Sequence, residues 1–223
     1  MPDAPAVFYV GNVLPDLLSV SGDGRLRQRH VAQPAADIDA DLMRGLRLHL
    51  ATDQRFHGHP AFSAANAQAG DLLRSVPFET PLRRVFFLAH AFVEIALDGL
   101  LLHQSPGLVE DFYSQFSRCD LTAVVTEMGS LTESPGPLLG LARVLEGFLE
   151  ARYLQHYATG DGMASALSRV ARRAGLADIF GSDTDRATLA NCFNTYLPNL
   201  VAIGPELLTP PALSLWYNSG EFS

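Results

Sequence analysis

Apolar residues recur at helical spacing along nearly the whole chain, while alternation of apolar and polar positions is scarce. Strand-like clusters of Val, Ile, Thr and Tyr are equally scarce. The pattern predicts a short helix near Asn12, with Pro15 suited to a first turn, followed by a loop over 21–36. A second helix is expected from Asp37 or Asp39 to His57, capped by the aspartate, and a third over 61–76. Thr80-Pro81 reads as the N-cap and first position of a fourth helix that runs to about His103. Further helices fit 107–117, 120–129, 137–158, 162–175 and 184–203. The tail from Thr209 carries two prolines, and Leu213, Leu215 and Trp216 give it an apolar side suited to packing. The fold class expected is all-α, a single helical domain over 1–223, without internal repeats.

Two of these helices carry polar residues in line with their apolar stripe. Leu42, Leu46, His49 and Asp53 follow one another at steps of four, three and four; so do Phe86, His90, Glu94, Leu97 and Leu101 at steps of four, four, three and four. Residues at such spacing share a helix face, so both polar pairs are expected to face the core. An ionised Glu94 there is costly to bury without a partner. Each pair taken alone fits a hydrogen-bonded structural pair. Two of them, together with Asp16 in an apolar setting, favour a divalent metal. Imidazole and carboxylate without thiolate suit Mn²⁺, Fe²⁺ or Zn²⁺, and two ions bridged by a carboxylate would suit phosphoester cleavage.

Composition narrows the chemistry. The chain has 223 residues, 48% of them hydrophobic and 18% charged, as a globular protein does. Its net charge of −8 argues against a nucleic-acid partner. All 16 basic residues are arginines, which excludes a Schiff-base lysine, a lysine general base and a P-loop lysine. A phosphate would have to be held by arginine; Arg25, Arg27 and Arg29 in the first loop are candidates for a clamp, although a solvated loop is the commoner role. Cys119 and Cys192 lie far apart without CxxC spacing, so neither a disulfide scaffold nor a structural zinc site is expected. The N-terminus lacks a signal-peptide pattern, and no run of about 18 uninterrupted apolar residues suggests a membrane span. A cytoplasmic protein without a membrane partner is the expectation. No Gly-x-Ser-x-Gly element supports a serine hydrolase. Ser19–Gly24 lacks phosphate-loop spacing and reads as a turn, while Glu146, Glu150, Arg152 and His156 read as a solvated face.

Gly11-Asn12-Val13-Leu14-Pro15-Asp16 resembles the Gly-Asn-Leu-Leu-x-Asp element of the acyl carrier protein phosphodiesterases. Gly45-Leu46-Arg47-Leu48-His49, with Asp53 and then His59-Pro60, resembles that family's Gly-Ile-x-x-His-x-x-x-Asp segment and its trailing His-Pro. The likeness covers residues 8–104, and residues 105–223 form a divergent helical half. It implies an HD-domain-like helical bundle, dependence on a divalent metal with Mn²⁺ first, and hydrolysis of a phosphoester. It also implies a small-molecule phosphoester or an acyl carrier protein as partner, with release of a phosphopantetheine arm. Where the family has Asp-x-x-x-Asp-His-Phe, this chain has His90-x-x-x-Glu94-Ile95-Ala96. An aspartate usual at the place of His57 is replaced, and the family's early histidine has no counterpart before Gly11.

Asp16, His49, Asp53, His90 and Glu94 are the expected metal ligands, with Asp53 either bridging or orienting His49. A metal-bound water, its pKa lowered, is the expected nucleophile, with Asp53, His57 and His59 as the catalytic set and the two histidines donating to the leaving group. The histidines at the helix end equally fit a favourable interaction with its dipole. The alternative function is a non-catalytic metal- or ligand-binding helical protein of the same descent.

Overall fold

The computed structural model describes residues 4–34 and 37–208. The chain is all-α: among the described residues there are eleven α-helices, one 3₁₀ segment and no strand. The helices are α1 (Ala6–Gly11), α2 (Leu14–Ser21), α3 (Gln28–Ala32), α4 (Ala40–Gly58), α5 (Pro60–Ser75) and α6 (Val85–Gln104). They continue as α7 (Leu108–Phe116), α8 (Leu121–Leu131), α9 (Leu139–Ala151), α10 (Gly160–Arg173) and α11 (Asp183–Leu208), with the 3₁₀ segment Tyr153–Ala158 before α10. The expected packing of Leu213, Leu215 and Trp216 lies outside the described residues.

Most expected boundaries hold to within a few residues, and the exceptions have local causes. Asp39 caps α4 as expected, its Oδ1 accepting from the N–H groups of Asp41 and Leu42. Asp120 does the same for α8. The short helix expected to start near Asn12 is α2, with Pro15 in its first turn, but α1 precedes it unexpectedly, and the loop 21–36 contains the short α3. The helix expected from Thr80 begins only at Val85. The Glu79 and Thr80 N–H groups donate to Asp185, a carboxylate 1% exposed in α11, and the chain turns left-handed at Arg84, φ 50°, immediately before the helix begins. The helix expected over 137–158 stops at Ala151 because Arg152 turns left-handed, with φ 46°, and the chain tightens into the 3₁₀ segment.

Two compact units divide the chain. The first holds residues up to Arg55 together with Glu110–Arg152. Here α2 and α8 pack on α9, and Phe116 meets Phe148 with ring centroids 5.4 Å apart. Asp23 accepts from the Leu141 N–H and so caps the start of α9.

The second unit holds Phe56–Val109 and the chain from Tyr153 onward. Its centre is α6, whose middle turns are mostly buried and which packs against α5, α10 and α11. By length and composition alone α6 could cross a membrane, but 61% of its 18-residue apolar stretch is buried inside the protein, as in the core helix of a folded unit. Phe92 of α6 stacks on Phe193 of α11 at 4.0 Å and 12°, and the Tyr196 hydroxyl of α11 donates to the Ala65 carbonyl at 2.7 Å.

Burial pushes the Tyr196 phenol up to about 12. The folded state therefore holds this proton more tightly than the unfolded chain, whose tyrosines titrate near pH 10. That stability is complete below pH 10 and is lost as pH rises toward 12, a fall on the order of 2–3 kcal/mol. Denaturant unfolding at pH 9 and pH 11.5 should show the difference, and Tyr196→Phe should flatten it. An unchanged slope in the variant would reject this account.

Candidate metal centre

α4 ends in Phe56-His57-Gly58, and His59 follows as the N-cap of α5, its Nδ1 accepting from the Ala61 N–H at 3.2 Å. That bond commits one ring nitrogen of His59 to the helix start. One turn into α5, Phe62 packs edge-on against both His57 and His90, with centroids 5.0 Å from each. His57 and His90 in turn stack at 4.7 Å and 12°. The phenyl ring thus braces two imidazoles that α4 and α6 deliver from positions 33 apart in the chain.

Glu94, one turn after His90, completes the group. Its Oε1 accepts from His57 Nε2 at 2.9 Å and lies 3.2 Å from His90 Nε2. Burial alone would raise the Glu94 carboxyl, but the hydrogen bonds from His90 and His57 and their charge outweigh it, and hold it below the usual carboxylate range. Glu94 is therefore an anion at neutral pH. The ligand-type atoms of His57, His90 and Glu94 all lie within 4.8 Å of one another, so this group can hold a metal ion.

The spacing fits one ion. Ligand atoms about 2.1 Å from a metal stand about 3.0 Å apart at right angles and about 3.4 Å apart in a tetrahedron. Of the two distances to Glu94, 3.2 Å lies within that range and 2.9 Å just below it. Two histidines and one carboxylate occupy three positions and leave others open, as catalytic metal sites require.

No protein-family model, no curated protein and no solved structure matches this chain. Its chemistry has to be read from its own atoms.

The expected ligands are distributed as follows. His90 and Glu94 come together in the second unit, joined by His57, which sequence reasoning had assigned to the leaving group instead. Asp16, His49 and Asp53 belong to the first unit. There His49 Nδ1 donates to the Asn12 carbonyl at 2.8 Å, which leaves Nε2 turned toward Asp16 Oδ1, 3.7 Å away. The expectation that both helical pairs face the core needs correction. His49 is only 16% exposed, but Asp16 is 78% exposed and Asp53 is exposed too; Glu94 is 41% exposed, sitting at the edge of the core rather than inside it. Helical phase placed these side chains on the right face without saying how far the neighbouring helices reach over it. Arg25, Arg27 and Arg29 are solvated in the first unit, with Arg25 and Arg27 leading into α3.

A cleft of about 460 Å³ opens beside the two imidazoles. His57, His90, Phe62, Asn66, Arg74 and Phe86 line it. Phe62, Asn66, Gly70 and Arg74 are a four-residue stripe on α5, and Gly70 leaves room for the Arg74 guanidinium, which would lie 3.4 Å from a Cβ there. Nothing in the periodicity distinguished this face; the one signal was an asparagine within an alanine-rich helix.

Asn66 is 6% exposed, and its Oδ1 is buried without a hydrogen-bond partner. An unsatisfied buried acceptor costs on the order of 1–3 kcal/mol. Asn66→Leu, matched in side-chain heavy atoms and branching but apolar, is therefore expected to raise stability by about that much. A thermal melt checks this directly, and a lower melting temperature in the variant would refute it.

Proposed function

We propose that this chain is a divalent-metal-dependent phosphoester hydrolase whose metal is held by His57 Nε2, His90 Nε2 and the Glu94 carboxylate. The observation that carries the reading is the spacing of those three atoms, which suits ligands of a single ion. Mixed imidazole and carboxylate favour Mn²⁺, with Fe²⁺ or Zn²⁺ as alternatives. A bound ion would polarise the phosphoryl oxygen and lower the pKa of a bound water.

The chain's own residues set up that chemistry. Phe62 and the mutual stacking of the imidazoles fix ring orientation, so little ordering remains to be done on binding. Glu94 holds the histidines through their Nε2 atoms. For Nε2 to ligate, its hydrogen must move to Nδ1, so metal competes directly with the hydrogen bonds to Glu94. The adjacent cleft, with Arg74 as a cation, gives a phosphoester somewhere to lie.

The likeness of the Gly11–Asp16 and Gly45–Asp53 segments to acyl carrier protein phosphodiesterases supports a phosphodiester as substrate, and an acyl carrier protein or a small phosphoester as partner. A second reading, a non-catalytic metal- or ligand-binding protein, draws on Glu94 being satisfied by its two imidazole neighbours without metal. Elemental analysis of the purified protein, followed by bis(4-nitrophenyl) phosphate hydrolysis with Mn²⁺, separates the two. Turnover that disappears in His57→Ala and His90→Ala supports the hydrolase. Bound metal without turnover supports the second reading, and neither metal nor turnover would sink both metal readings.

A further inference from the structure

We infer that the cleft between α5 and α6 recognises the organic part of an anionic substrate: a flat apolar group against Phe62 and Phe86, with its anion directed to Arg74 and the imidazole edge. The position of the anion rests on the metal reading above; the preference for a flat apolar group does not.

Three observations converge. Phe86 is 74% exposed, yet it stands on the rim of this cleft rather than alone on the surface. A phenyl ring held in water beside a recess gains from covering, and rings prefer offset or edge-on partners over bare solvent. Small residues line the rest of it: Ala67 and Gly70 from α5 and Ala89 from α6, with a Cβ at Gly70 standing only in ordinary contact, 3.8 Å, with that of Ala89. Small side chains at Ala67, Gly70 and Ala89 leave this part of the cleft open beside the Phe86 ring.

The polar groups are placed for a ligand with one anionic end. Arg74 is paired with Asp71 at 2.9 Å, three residues earlier on the same helix, and both are well exposed. Such a surface pair is held weakly, so the guanidinium can exchange Asp71 for a ligand anion, which its planar fork suits better. Asn66 supplies a buried amide whose Oδ1 has no partner. That oxygen is itself buried from solvent, so it is Arg74 that offers a ligand its polar contact, within the mostly apolar lining usual for such sites.

The test uses the full chain, with and without Mn²⁺, and titrates phenylphosphonate against methylphosphonate by calorimetry. Phenylphosphonate should bind about tenfold tighter, the size expected for covering part of a ring. Phe86→Ala and Ala67→Trp should erase that preference; Ala67 is exposed, so its replacement fills the slot without entering the core. Arg74→Ala should weaken both phosphonates by a similar factor. Equal affinity of the two phosphonates in the wild type, or a preference that survives Ala67→Trp, overturns the inference. Loss of Mn²⁺ binding with the phenyl preference intact would instead overturn the metal reading and leave this one standing.

Discussion

Mn²⁺ at about a hundred times its dissociation constant is expected to stabilise the wild-type chain by about 2.7 kcal/mol, and Glu94→Ala or His90→Ala should remove most of that gain. For a chain of this length the wild-type shift corresponds to about 5–10 °C in melting temperature. The argument is linkage: an ion that binds only where three ligand atoms already converge stabilises the folded state in proportion to its affinity. Removing one of the three leaves a pair, and two ligands hold a first-row ion far more weakly. His57→Ala should behave like His90→Ala, although His57 comes from the end of α4 and has no helical register with the others. The competing account is that Glu94 merely ties two helices together. It predicts a different pattern, since breaking the pair would cost stability equally with Mn²⁺ and with EDTA, and toward the low end of 1–3 kcal/mol because Glu94 is 41% exposed. Equal destabilisation in both conditions, with a wild type indifferent to the chelator, would decide for the tie.

How much of this was legible beforehand divides along one line. His90 and Glu94 could be paired from sequence because helix geometry alone sets two residues four apart on one face. His57 could not, because it meets Glu94 through the packing of Phe62 and α6, and no local spacing encodes a contact 37 positions away. The same holds for α6 itself. Its apolar run announced a helix, but the expected start at Thr80-Pro81 is passed over: the Glu79 and Thr80 N–H groups are held by Asp185, 105 positions downstream of Thr80, and the chain enters the helix only after Arg84, left-handed at φ 50°. The cleft was illegible for a further reason: it is made by what α5 lacks, small side chains at Ala67 and Gly70, and absence carries no periodic signal. The glycines of the two motif segments, by contrast, were visible as residues but not as the means by which two helix backbones touch.

Gly45→Ala is expected to destabilise the protein by about 2 kcal/mol, within the usual range for forcing atoms into a packed contact. α1 and α4 cross with almost no space between their backbones. A Cβ on Gly45 would lie 2.3 Å from the Phe8 carbonyl oxygen and 2.9 Å from the Asn12 nitrogen. One on Gly11 would lie 2.6 Å from the Leu42 carbonyl oxygen. These obstacles are main chain and cannot rotate away, so the helices must part. The same crossing brings the Asn12 carbonyl within 2.8 Å of His49 Nδ1 and so selects which nitrogen of His49 faces Asp16. Gly45→Ala should therefore release the His49 ring as well as lower the melting temperature, and imidazole NMR signals report the first effect independently of the second. Intrinsic propensity works in the other direction, since alanine in a helix interior is favoured over glycine by about 1 kcal/mol. Gly147 in α9 isolates that contribution, because a Cβ there meets nothing within 4 Å, and Gly147→Ala should be neutral or stabilising. If Gly45→Ala matched Gly147→Ala in stability and left the His49 signals unmoved, the close crossing of α1 and α4 would not be what holds this histidine.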